Sequence, residues 1–118
     1  IVSSDARRAR ETAALFAGCF VPVPELVLTR RLYLVSAEEI ADEVQSLPDS
    51  AGTAVVVGHN MGLEQLAEVL AEGGLPAALK PGGICVFQLA IDSWLDFRPR
   101  GATLAAFANP SSLRERGQ

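Results

Sequence analysis

The segment VVVGHNMGLEQLAEVL, Val55 to Leu70, constrains the fold more than any other stretch of the chain. A β-branched run stops at Gly58, and a helical stripe of Leu63, Leu66, Ala67 and Leu70 begins five residues later. A strand that passes straight into a helix is the repeating unit of an α/β domain. TAVVV, Thr53 to Val57, is apolar on both faces, which predicts a central strand covered by helices on both sides of a sheet. At the junction, Gly58 is expected to permit a close backbone turn, Asn60 to cap the helix, and Gly73 with Gly74 to stop it. The chain's one histidine, His59, lies between them.

The rest of the chain alternates in the same way. Ile1 and Val2 read as the end of a strand, and ARRARETAALFAG follows with Ala9, Thr12, Ala13 and Phe16 at helical spacing. Ser4 or Asp5 can cap that helix and Gly18 can end it. PVPELVLTRRLYL, with two prolines, predicts loop and short extended structure. Ser36 followed three residues later by Glu39 is a capping box, opening a helix whose buried face is Ile40, Val44 and Leu47 and which stops at Pro48 and Asp49. Ile84 to Ile91 and Ala102 to Ala108 read as strands around a turn at Asp92, Ser93 and Trp94, and the polar tail after Pro110 is expected to fray. The whole predicts one domain over residues 1–118, a three-layer α/β/α sandwich with a mainly parallel central sheet.

Composition removes several classes of function. A net charge of −4 gives no general attraction to nucleic acid, and 49% hydrophobic with 20% charged residues is the balance of a globular chain. No apolar run is long enough for a membrane span and no leader pattern opens the chain, so a cytoplasmic protein without a membrane partner is expected. Cys19 and Cys85 cannot build a disulfide framework and, with one histidine, fall short of a zinc set, so both are expected to be reduced core thiols and no metal or other cofactor is expected.

Ligands of open α/β sheets collect beyond the carboxyl ends of the strands, where helix N-termini offer free N–H groups. His59 stands at such an end, and SSDARRARET repeats the strand-end-to-helix arrangement with Arg7, Arg8 and Arg10 in its first turns. Cations there oppose the helix dipole by a few tenths of a kcal/mol each, roughly, and an anion would relieve them. A guanidinium beside an imidazole suits a phosphoryl group. A solvated face in which Arg7 and Arg10 pair with Glu11 explains those two better than a ligand does.

SSDARRARETA resembles the Ser-x-x-x-Arg-Ala-x-x-Thr-Ala segment, and VVGHNMGLEQLA the Gly-His-Asn segment, of the histidine phosphatase (phosphoglycerate mutase-like) superfamily. LYLVSAEEI so close to VVVGHN, with the closing ICVFQLAIDSWLDF, looks like its small, SixA-like phosphohistidine phosphatase branch. The resemblance implies that Arg8 clamps the phosphoryl oxygens, that His59 bonds them and helps to stabilise the pentacoordinate transition state, and that Asn60 contributes to substrate binding with Gly58 in support. The family's nucleophile is a different histidine, in an Arg-His-Gly or Arg-His-Ala motif on a first strand, and this chain has no such motif. The resemblance therefore implies a fold lacking its first βα unit, a chain that by itself does not turn over, and an exposed strand edge prone to association.

Mutase-like members also place a glutamate between the two motifs as general acid, whereas no carboxylate lies between Leu26 and Ser36, and Glu38 and Glu39 belong to a capped helix. Phosphohistidine needs such an acid least, because a protonated imidazole leaves phosphorus readily. The implied function is hydrolysis of phosphohistidine on a protein through a phosphoenzyme. The alternatives are a noncatalytic module that binds a phosphorylated protein and a small phosphomonoesterase of the same superfamily; each would accept phosphate or sulfate ion at the site. A serine hydrolase is disfavoured because GHNMG carries Asn60 where a nucleophile elbow has serine, and no G-x-G-x-x-G marks a dinucleotide site.

Overall fold

The computed structural model describes residues 1–72 and 74–110. Three strands form a parallel sheet in the order β2-β1-β3, with β1 at Val2–Ser4, β2 at Val27–Thr29 and β3 at Val56–Val57. Among the described residues the valine run is therefore an edge strand, not the central one. Its three valines are only half-buried, and Val55 contributes a single carbonyl, which accepts from the Val2 N–H at 2.8 Å. The central place goes to β1, where Ser3 and Ser4 have no exposed surface at all. Small hydroxyl side chains can be enclosed on every side provided that local hydrogen bonds satisfy them, and the Ser3 Oγ donates to the Ser4 carbonyl at 2.8 Å.

The last two strands, β4 at Ile84–Gln88 and β5 at Thr103–Ala108, pair antiparallel in a sheet of their own with an irregularity between Val86 and Phe87. The parallel sheet thus holds three strands, and the chain's strands do not form one continuous sheet among the described residues. An isolated parallel bridge between Ala71 and Ala102, with the Ala102 N–H donating to the Leu70 carbonyl at 3.2 Å, ties the second sheet to the end of the third helix. The turn between β4 and β5 is held by Asp49, whose carboxylate accepts from the Ser93 hydroxyl at 3.0 Å and the Trp94 N–H at 3.1 Å, while the Trp94 indole donates to the Ala51 carbonyl at 2.8 Å.

Helix α1, Arg7–Ala17, packs on β1 and β3 through Ala9, Ala13 and Ala17, small residues four apart that allow a close approach. Of the expected stripe, Thr12 is exposed and Phe16 is half-buried, stacked at a tilt on Phe20 with ring centroids 5.2 Å apart. The helix ends at Gly18 as expected, but its N-cap is Ala6, without a side-chain cap from Ser4 or Asp5. Helix α2, Ala37–Gln45, opens on the capping box of Ser36 and Glu39 and closes at Ser46, two residues before Pro48. Helix α3, Gly62–Leu70, packs against α2. Between them lies the main core, in which Leu32 and Ile40 are 2% exposed and Val2, Val44, Leu66, Leu70 and Phe97 complete the contact. Each of the larger aliphatic side chains there contributes about 1.5–3 kcal/mol by leaving water.

Gly74 holds a left-handed φ of 85°, the conformation expected of a glycine beyond a helix end, although α3 itself closes earlier, at Ala71. Gly73 and the expected fraying tail after Pro110 lie outside the described residues. Among the described residues no helix is long and apolar enough to cross a membrane.

Gly62 is the tightest point of the helical layer. A Cβ there would overlap the Val35 carbonyl oxygen and stand 3.0 Å from Ile40 Cδ1. Gly62→Ala should therefore lower the unfolding free energy by about 1–3 kcal/mol in a urea titration, because overpacking against backbone outweighs the gain in helix propensity. A variant at least as stable as the parent would show that α3 can move away from Val35 freely.

Candidate active site

Because β1, β2 and β3 are parallel neighbours, their carboxyl ends lie side by side, and the residues that follow them share one end of the sheet. Ser4 ends β1, Tyr33 follows the 3-10 turn after β2, and His59 follows β3 by two residues. These three meet. The His59 Nε2 is 2.9 Å from the Ser4 Oγ, and the Tyr33 ring stands edge-on to the imidazole, with centroids 5.2 Å apart and planes at 80°. The Ser4 Oγ also accepts from the Ala6 N–H at 3.2 Å. One buried hydroxyl thus joins the end of β1, the entry to α1 and the ring of His59.

Arg8 is the second residue of α1, four residues beyond Ser4, and therefore belongs to the same end of the sheet as His59. It is exposed, and among the described residues its side chain makes no hydrogen bond or ion pair. Arg10 is likewise exposed and without a partner among the described residues, whereas Arg7 pairs with Glu11 at 2.9 Å one helical turn on and Arg30, just past β2, pairs with Asp5 at 3.4 Å. Both pairs are exposed and add little to stability. Of the two arginines expected to share Glu11, Arg7 is the one that does.

Asn60 does not cap α3. The N-cap is Met61 and makes no side-chain cap bond, while the Asn60 Nδ2 donates to the Leu79 carbonyl at 2.9 Å and so ties the junction to the loop before β4. The cap role fails because the helix begins one residue further along than the sequence implies. Gly58 is not required by crowding either: a Cβ there would meet the Leu63 side chain at 3.6 Å and the Leu32 carbonyl at 3.7 Å, which is ordinary contact. The close approach expected at Gly58 occurs at Gly62.

A Ser–His pair at 2.9 Å invites comparison with a hydrolytic dyad. Ser4 has no exposed surface from which to attack a substrate, and among the described residues no carboxylate bonds the other side of His59. The thiols do not offer a nucleophile in its place. Cys85 is pushed above the ordinary thiol range by burial and then by the Glu68 carboxylate, the reverse of what a reactive thiolate requires. Cys19 is exposed, not a core thiol. Among the described residues no group of three His, Cys, Asp or Glu side chains could hold a metal ion.

Neither Ser4 nor Tyr33 stands out in the sequence as a partner of His59. Ser4 reads as a cap, and its acceptance of the Ala6 N–H is what remains of that role. Tyr33 is the chain's one tyrosine and lies just past a strand end, the single signal that could have placed it here.

The arrangement defines an α/β domain whose candidate site lies beyond the carboxyl ends of a parallel sheet. Among solved structures the chain is similar to one described as "Putative Phosphohistidine Phosphatase SixA" from Nakamurella multipartitia, with a TM-score of 0.73 and 24% sequence identity over 92% of this chain and 69% of that one. The two share a fold. No protein-family model and no curated protein matches the chain.

Asn60→Ala should destabilise the domain by about 0.5–1.5 kcal/mol, the usual net worth of a hydrogen bond such as the one to Leu79, with no change in helix content by circular dichroism. An unfolding midpoint equal to that of the parent would mean that the tie contributes nothing.

Proposed function

We propose that this chain is the phosphoryl-binding part of a phosphohistidine phosphatase-like hydrolase that acts on a phosphorylated protein, with Arg8 and His59 holding the phosphoryl oxygens and Asn60 supporting the site. The observation that carries this reading is the join of His59, after β3, to Ser4, four residues ahead of Arg8 at the end of the neighbouring parallel strand. The fold shared with a protein described as a phosphohistidine phosphatase supports it. A guanidinium and an imidazole N–H aimed at equatorial oxygens would stabilise the charge that builds up during phosphoryl transfer.

The phosphoryl acceptor in this reading is a second histidine, supplied by a segment preceding Ile1, since the chain's one imidazole is engaged by Ser4. The phosphoryl group passes from the substrate nitrogen to that histidine and then to water, and an imidazole leaving group makes a dedicated carboxylic acid unnecessary. We place the reaction in the cytoplasm, in keeping with two free cysteines. The same absence of a second histidine favours one other reading, a module that binds a phosphorylated partner without turnover.

Two measurements test the proposal. Inorganic phosphate or vanadate should bind the 118-residue chain, and Arg8→Ala should weaken that binding by about tenfold or more, as expected for loss of a charge-assisted bond; equal affinity in the variant would remove Arg8 from the site. In a protein that carries the upstream histidine, kcat/KM for a phosphohistidine-bearing protein should exceed that for simple phosphomonoesters, and His59→Ala should cost at least ~2.7 kcal/mol of transition-state stabilisation. Faster hydrolysis of sugar or glycerate phosphates would replace the assignment with a phosphomonoesterase, and no hydrolysis of either would leave the binding module.

A further inference from the structure

A serine hydroxyl has one proton to give and two lone pairs to receive with. The Ser4 hydroxyl has no exposed surface, so its proton must find an acceptor inside the protein. One lone pair of the Ser4 Oγ is taken by the Ala6 N–H at 3.2 Å, and the other polar contact of this atom among the described residues is the His59 Nε2 at 2.9 Å. If Nε2 carried a hydrogen and donated it, the oxygen would accept twice and its own proton would be buried without a partner. That arrangement is disfavoured by about fivefold or more. The opposite one satisfies the buried hydroxyl: Ser4 donates to a lone pair on Nε2, and the neutral ring of the half-buried His59 carries its proton on Nδ1, which has no hydrogen-bond partner among the described residues. Tyr33, edge-on to the imidazole, limits rotation of the ring about this bond.

We infer that Ser4 is a positioning residue that locks His59 in the Nδ1–H tautomer, so that the ring offers a hydrogen-bond donor and not a lone pair to an anion at the carboxyl end of the sheet. The tautomer follows from the burial and bonding of Ser4 alone; its use toward an anion rests on the phosphoryl-site reading. An N–H donor suits phosphoryl oxygens, which are acceptors, whereas a lone pair would repel them.

The chain's single histidine makes the test unambiguous. Long-range proton–nitrogen correlation spectra of the 118-residue chain, recorded where the imidazole is neutral, should show a protonated Nδ1 and an unprotonated Nε2. Ser4→Ala should move the population toward the Nε2–H form that free imidazole side chains favour and weaken inorganic phosphate binding about three- to tenfold, while Ser4→Thr, which keeps the hydroxyl, should retain the parent tautomer. A parent ring protonated mainly on Nε2 overturns the inference without recourse to any variant, as does a folded Ser4→Ala whose tautomer is unchanged. If the parent shows the Nδ1–H ring but its signals do not move on titration with inorganic phosphate, the positioning role stands and the phosphoryl-site reading falls.

Discussion

A serine hydroxyl with no access to water sits at the end of the central strand, and its need for a partner connects the fold to the site. β1 is paired on both sides as far as Ser3 and with β2 alone at Ser4, which is nevertheless fully enclosed. The partner that the neighbouring strand delivers is the imidazole that follows β3. A parallel register makes this meeting possible, because Val2 pairs with both Val27 and Val56 and the three chains leave the sheet together. In an antiparallel arrangement the same residues would stand at opposite ends.

What brings the layers close enough is the absence of side-chain bulk at a few positions. Ala9, Ala13 and Ala17 let α1 lie near β1 and β3, and Gly62 lets the start of α3 press on the backbone at Val35. Leu32 and Ile40 then fill the space beneath the junction, so the turn that carries Tyr33 and the helix that follows His59 are anchored in the same cluster. The ring of His59 is thus held by the Ser4 hydroxyl on one side and meets the edge-on Tyr33 ring.

The elements whose signals are local were legible in the sequence. The capping box of Ser36 and Glu39 and the stop at Gly18 depend on residues within one turn of each other, and both stand where the spacing puts them. The strand order was not legible, because the pattern of Val55 to Val57 records apolarity on two faces without recording what lies at the edges. Two buried serines outrank three valines for the central position only once their hydroxyls are known to be satisfied. Asn60 misled for a related reason: an amide before a helix has a local use as a cap, and here a partner 19 residues away, the Leu79 carbonyl, takes it instead. Topology alone associates Arg8 with His59, and the structure has both residues at the same end of the sheet with no bond between them.

The acidic groups around this end of the sheet pair with some of its arginines and not with others. Glu11 pairs with Arg7 and Asp5 with Arg30, both in exposed contacts. Arg8 and Arg10 meet no carboxylate among the described residues, and Arg8 is the nearer of the two to the N-terminus of α1, where the helix dipole is positive. An exposed guanidinium in water tolerates that position at a cost of a few tenths of a kcal/mol, roughly. Were an anion to bind there, the helix dipole and the guanidinium would act on it with the same sign. On the phosphoryl-site reading, Arg8 and His59 at one end of the parallel sheet would select a ligand by its charge before its shape.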